Sequence, residues 1–332
     1  MNPGTSRKQS KILVEELKRR SKKPLEFAKK TILAEKIEYR QLREALEHYI
    51  LHWNDFTHSG SFSIACEGVG GNLTAGTRVQ AAITMIAAAL DIHDDVIDKS
   101  EMKHGLPTVF GKFGCDIALL LGNAFLVEGF SLLAESTSDL PQEKIEEIRA
   151  ILKRALFEVG NGHALELNLR ERTSANLEEY IGIFRMKAAS IEADFRIGAI
   201  LGNGTRSEID AMAKYGRILG TLTQLREEFI DIFEVEELNQ RIRSEYLPLP
   251  ILVAMQDSES KERIQELTSR GRVRNSNVDE LIRIVFKSRS VEKLRGTMEK
   301  LVAESISFTS TIERKGIRDL LSHLASSMLE DL

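Results

Sequence analysis

Two short acidic groups carry the residues best able to do chemistry. In Asp91-Ile92-His93-Asp94-Asp95-Val96-Ile97-Asp98, Asp94 and Asp98 stand four residues apart. On a helix that spacing puts both carboxylates on one face. Like charges so placed repel, and in a partly buried setting they need a cation or a proton to offset them. Carboxylate oxygens suit magnesium, which takes one or two of them and completes its shell with water and phosphate. A second group, Gln224-Leu225-Arg226-Glu227-Glu228-Phe229-Ile230-Asp231, repeats the spacing with Glu227 and Asp231. Gly216, Gly220 and Gln224 continue that face toward the amino end, and glycines there let another helix approach closely. Alone, Glu227 and Glu228 read as solvated surface carboxylates. Paired with the Asp94 group at matching spacing, they read as a second metal-holding motif.

Both motifs need helices to position them. The first follows ten nearly uninterrupted apolar positions, Ala81 to Leu90, in a helical run expected from Thr77 to about Lys99. From Lys8 to about Trp53 apolar residues recur at helical spacing, with Pro24 placed to begin a new helix. The Ser, Gly and Asn of His58 to Gly76 predict a loop. Further helices are expected over about Asp116–Ala134, from Pro141 to about Arg170, over Leu177–Leu201 and over Glu208–Phe233. A polar link then reaches Pro248 and Pro250, and three or four helices complete the chain. No period-two run bounded by turns is present, so strands are not expected.

Composition supports this reading. The chain of 332 residues is 42% hydrophobic, 29% charged and 6% aromatic with six prolines, which suits long amphipathic helices in one all-α domain spanning 1–332. Within it we expect amphipathic N-terminal helices over 1–57, a catalytic core over 58–255 and C-terminal helices over 256–332. A net charge of −4 gives no basic footprint for nucleic acid. Cys66 and Cys115 are too few for a disulfide framework, which points to a reducing, cytoplasmic setting. The apolar stretches Ala81–Leu90 and Ile117–Leu133 are too short or too interrupted for a membrane span and read as core helices, so no transmembrane segment is expected. The basic run Lys18 to Lys23 reads as a solvated face. His52 and His58 lack metal spacing, and Gly68–Gly76 lacks the Gly-Lys-Ser/Thr ending of a phosphate-binding P-loop.

At the two acidic motifs the chain resembles the trans-isoprenyl diphosphate synthases, the polyprenyl synthetases, over roughly Gly68 to Met255. Asp94, Asp95 and Asp98 match the family's Asp-Asp-x-x-Asp, with His93 before it. Gln224 to Asp231 matches the second motif, with Glu227 and Glu228 in place of aspartates. Gly105-Leu106-Pro107-Thr108, Phe113-Gly114 and Leu121-Gly122-Asn123-Ala124 match the stretch between, where the family has Gly-Asp at Gly122-Asn123. Lys187 falls at the family's diphosphate-gripping lysine, and His163 at its glutamine.

The departures concern the cations. The family's Gly-Gly-Lys-Arg-x-Arg-Pro becomes Gly70-Gly71-Asn72-Leu73-Thr74-Ala75-Gly76, with no cation before Arg78. Its paired arginines become Lys103 and His104, a later lysine becomes Tyr246, and the threonine after Lys187 is Ala188.

The resemblance implies a helical bundle of the isoprenoid synthase type with a central cavity, paired as a homodimer or as a heteromer with an active synthase. It implies magnesium at Asp94, Asp98, Glu227 and Asp231, two groups facing each other across the cavity. Catalysis would involve Asp94, Asp95, Asp98 and Lys187, with Arg78, Lys103, His104, Gln224 and Arg226 contacting substrate. An allylic isoprenoid diphosphate would ionise and condense with isopentenyl diphosphate, which should bind weakly through so altered a loop. Ala89, five residues before Asp94, would line the tail pocket and admit a geranylgeranyl-like product. A terpene cyclase or diphosphate-cleaving relative would keep the metal motifs without isopentenyl diphosphate, and a non-catalytic partner subunit would tolerate the changed motif.

Overall fold

A computed structural model describes residues 3–72, 76–103, 105–170, 176–244, 246–268 and 273–330. In chain order the helices are α1 Pro3–Ala34, α2 Arg40–His52, α3 Thr57–Gly68, α4 Thr77–Asp98, α5 Val109–Phe113, α6 Cys115–Ser136, α7 Gln142–Leu167 and α8 Leu177–Lys187. They continue as α9 Ala189–Leu201, α10 Arg206–Ile230, α11 Val235–Ser244, α12 Leu249–Ala254, α13 Ser258–Thr268, α14 Asn275–Lys287, α15 Arg289–Phe308 and α16 Lys315–Ser327. The fold is all-α, as expected. Its described strands are the two-residue pair β1 Met102–Lys103 and β2 Leu106–Pro107, antiparallel with Lys103 opposite Leu106. Gly105, at φ +76°, supplies the left-handed residue this turn requires.

The residues group into two compact units. One comprises Met1–Lys153, Ala193–Ala213 and Thr311–Leu320; the other comprises Arg154–Glu192, Lys214–Ser310 and Leu321–Leu332. The first acidic motif belongs to the former and the second to the latter.

In the first unit α4 packs along α6. Glycines on α6 bring the helices together: a Cβ at Gly129 would lie 2.8 Å from Ile86 Cγ1, and one at Gly122 would lie 2.4 Å from His93 Nε2. By length and composition α6 could cross a membrane, yet its Ile117, Ala118, Leu121, Gly122, Phe125, Gly129, Leu132 and Leu133 are buried. It is a core helix with one face left open.

Four expectations are corrected here. Residues 57–68 form α3, not a loop, because nearly all its small residues are buried and packing overrides weak propensity. A Cβ at Gly60 would lie 2.5 Å from Leu17 Cδ2, and Ser59 and Ser63 hydrogen-bond Thr84 and Gln80 of α4. Pro24 does not begin a helix but lies inside α1. An interior proline costs about 3 kcal/mol. Burial of Leu25 and Ile32, at about 1.5–3 kcal/mol each, offsets it. The expected helix over 177–201 is divided at Ala188, and the expected link after Phe233 contains α11.

His58, set aside as a metal ligand, is half-buried against the buried Asp194, Nδ1 to Oδ2 2.6 Å. A packed ion pair accounts for it.

Candidate functional site

The first motif sits at the carboxyl end of α4. The helix stops at Lys99, whose left-handed φ of 57° lets Ser100 N–H return to the Asp95 carbonyl at 2.9 Å. The chain then enters the β1–β2 hairpin. Thr108 fastens the hairpin's far end: its hydroxyl donates to the Ser100 carbonyl at 2.6 Å and accepts from Gly111 N–H at 2.9 Å.

Of the four aspartates of α4, Lys103 meets two. Lys103 Nζ lies 2.6 Å from Asp91 Oδ1 and 3.6 Å from Asp95 Oδ1. Asp91 also accepts from the Tyr49 hydroxyl at 3.4 Å, and Tyr49 is held edge-on against Phe125. Burial pushes the Asp95 carboxyl up to about 7; Lys103 pulls it down while Asp91 and Asp94 add to the rise. Asp94 and Asp98 lie beside them on the same side of α4, both half-buried. Sequence reasoning missed Asp91, although its i to i+4 spacing to Asp95 was visible.

His93 lies on Gly122, and its Nε2 is buried with no hydrogen-bond partner among the described residues. The expected Gly at 122 is therefore required by the ring, since any side chain would overlap it. Ala89 is fully buried, one turn before His93. Arg78 pairs with Glu135 at 2.9 Å and lies over Phe27. His104 and Leu73 to Ala75 lie outside the described residues. Arg314, which no sequence motif marked, donates to the Gly70 carbonyl at 3.4 Å and brings a cation to that loop.

In the second unit the α8–α9 junction is where helices approach most closely. A Cβ at Gly162 would lie 3.0 Å from Lys187 Cγ, and one at Gly220 would lie 2.8 Å from Ala188 Cβ. The close approach expected at Gly220 is thus present. Lys187 donates to Glu166 Oε2 at 2.7 Å, with His163 Nδ1 3.6 Å from the same oxygen. The Tyr246 hydroxyl lies 2.9 Å from both Glu166 Oε1 and Glu228 Oε1, and its single proton serves one at a time. Glu228 and Asp231 both meet Arg241. Burial pushes the Asp231 carboxyl up to about 7, with Arg241 opposing the rise and Glu228 adding to it. Gln224 is half-buried and Glu227 is exposed. Arg226 donates to the Ser327 and Glu330 carbonyls at 3.0 and 2.6 Å, at the end of α16. Glu166 and Arg241 escaped sequence reasoning because neither lies within an acidic motif.

Glu166 yields a pH prediction. Burial works to raise its carboxyl, but Lys187 and His163 bring it from 4.5 down to about 2. A depressed carboxylate contributes stability above its unfolded value that disappears as pH falls through the folded one, here ~3 kcal/mol. The stability difference between wild type and Glu166→Gln should therefore shrink as pH is lowered from about 5 toward 2. Urea titrations at several pH values would show this, and a difference that stays constant would refute the pairing.

The donors can be tested against magnesium. Asp94 and Asp98 present hard oxygen atoms from one helix face and fit it. Among the described residues no group of three His, Cys, Asp or Glu side chains forms a ready-made metal site. Glu228 and Asp231 are held by Arg241.

The chain belongs to the polyprenyl synthetase family, whose model matches residues 59–285, and it is a prenyltransferase. It is 27% identical over 295 residues to a short chain isoprenyl diphosphate synthase from Methanothermobacter thermautotrophicus, covering 87% of this chain and 90% of that one. The fold matches crystal structures of geranylgeranyl pyrophosphate synthetases from Pyrococcus horikoshii and Geoglobus acetivorans. The TM-scores are 0.84 and 0.80, each at 24% identity, covering 97% and 95% of this chain and 99% of each structure.

Proposed function

We propose that the chain extends an allylic isoprenoid diphosphate with isopentenyl diphosphate to a geranylgeranyl-like product, using magnesium, in the cytoplasm. The observation that carries this is the Asp94–Asp98 pair at the end of the apolar α4. The relatives' names, short chain isoprenyl diphosphate synthase and geranylgeranyl pyrophosphate synthetase, support the product class. Cys66 and Cys115 are both free thiols, which agrees with a reducing compartment.

Asp94 and Asp98 would hold the magnesium, which when bound supplies positive charge to the departing diphosphate. Lys103 keeps Asp91 and Asp95 neutralised and so fixes the hairpin beside the motif. Lys187, positioned by Glu166, is the residue we assign to the diphosphate. The apolar side chains of α4 keep water from the allylic cation, so that isopentenyl diphosphate captures it. Affinity for isopentenyl diphosphate should be low, because the Gly70 to Gly76 loop carries no cation before Arg78.

The test is incubation of purified protein with magnesium and allylic diphosphates of ten, fifteen and twenty carbons, with and without isopentenyl diphosphate. Longer diphosphates only in its presence support the proposal. Diphosphate release without it would favour the cyclase or cleaving alternative.

Product length should respond to Ala89. Because Ala89 is buried and small, Ala89→Phe puts a ring where we place the end of the tail. Products or preferred substrates should shorten by at least one five-carbon unit. Unchanged lengths in a stable variant would show that Ala89 does not line the pocket.

We also propose a homodimer, supported by the open face of α6. Leu119, Leu120, Val127 and Phe130 are 40, 53, 66 and 39% exposed, an apolar stripe that a lone soluble chain seldom leaves uncovered. Sedimentation should give twice 37.3 kDa, and Val127→Glu should give 37.3 kDa. A wild-type monomer that associates only with an active synthase would favour a heteromer.

A further inference from the structure

The second acidic motif contains its own cation. Glu228 and Arg241 are each 5% exposed. Arg241 Nη2 lies 2.9 and 3.1 Å from the two Glu228 oxygens, Nη1 donates to Asp231 Oδ2, and Nε donates to the Tyr246 carbonyl at 3.4 Å. The guanidinium also lies over the Tyr246 ring, 4.5 Å from its centre.

Glu228 accepts twice more, from the Tyr246 hydroxyl at 2.9 Å and from the Leu249 backbone N–H at 2.6 Å. Arg241 and the Leu249 N–H hold three of these contacts at all times, and the Tyr246 proton is shared with Glu166. A carboxylate has about four lone-pair sites, so the protein itself occupies most of those of Glu228. A magnesium ion demands close oxygen contacts in a near-octahedral shell. To bind Asp231 at the oxygen facing Arg241 it would have to displace that guanidinium. It would then add two positive charges beside a buried one.

We propose that Arg241 is the resident cation of the second motif, and that Asp231, held by it, takes no divalent metal. The inference rests on reading Asp94 and Asp98 as the metal-holding pair. It replaces the expectation that Asp231 ligates magnesium. Arg241 then supplies from within the positive charge that a metal would supply from outside, and the motif becomes a fixed brace joining α10, α11 and α12.

The experiment counts bound Mn2+ by electron paramagnetic resonance of the free ion, titrated into the full chain with inorganic diphosphate. Asp231→Asn should keep the wild-type number of bound ions, with affinity within about twofold of wild type. Arg241→Gln should bind one additional Mn2+, and Mn2+ should raise its melting temperature more than that of wild type. The proposal is overturned if Asp231→Asn loses a bound ion or weakens binding tenfold or more. It is equally overturned if a folded Arg241→Gln gains no ion. Asp94→Asn separates the two readings: Mn2+ binding unchanged in that variant would refute the first-motif assignment, while Asp231→Asn still decides the role of Arg241.

Discussion

Asp94→Ala is expected to lower kcat/KM for magnesium-dependent condensation by on the order of 10²–10³-fold, the usual cost of removing one preorganised stabiliser of developing charge. The fold should survive. Asp94 and Asp98 are like charges at i and i+4, a pairing that opposes helix stability by a few tenths of a kcal/mol. Removing one relieves that repulsion, while the ion pairs of Lys103 with Asp91 and Asp95 stay in place. Product formation measured against magnesium concentration, beside a thermal melt, separates the two effects. Activity within threefold of wild type in a variant of unchanged melting temperature would remove Asp94 from the site.

Glu228→Ala should do the opposite, damaging the fold first. It takes from Arg241 a carboxylate that meets it through both oxygens, and it leaves the Leu249 N–H without the acceptor now 2.6 Å away. Breaking a buried ion pair by removing one partner typically costs about 3–5 kcal/mol, and Asp231 still holds Nη1, which places the expectation near the lower end. For a chain of this size that corresponds to a fall in melting temperature of roughly 4 °C. Glu228→Gln should cost less, because its carbonyl oxygen still accepts while its NH2 group faces the guanidinium. Calorimetry of both variants is the measurement, and a loss under about 1 kcal/mol for Glu228→Ala would show that the brace contributes little.

The family comparison narrows chemistry that the residues left open. Paired acidic groups closing apolar helices already pointed to a metal-bound diphosphate, and the match over residues 59–285 makes the chain a prenyltransferase. Loss of cations in the Gly70–Gly76 loop then acquires meaning, because the cation that reaches Gly70, Arg314, arrives from far along the chain.

The sequence by itself determined what depends on neighbours three and four residues away. The apolar run of Ala81 to Leu90 made α4, and its spacing put Asp94 and Asp98 on one face. Gly122 could be matched as a motif residue, although its reason, the His93 ring, lies on another helix. Where composition opposed packing, local reading failed. The Ser and Gly residues of 57–68 look like a loop, and only burial against α1 and α4 makes them helical. Pro24 looks like a boundary, and only the buried stripe of α1 carries the helix past it.

Tertiary structure alone decided how the charges are paired. Lys103 selects Asp91 and Asp95, Glu166 holds Lys187, Arg226 closes the end of α16, and Arg241 occupies the second motif. The reason is physical: periodicity specifies a direction from a helix axis, whereas an ion pair needs two atoms within about 3 Å. Which distant side chain satisfies that distance is decided only when the chain has packed.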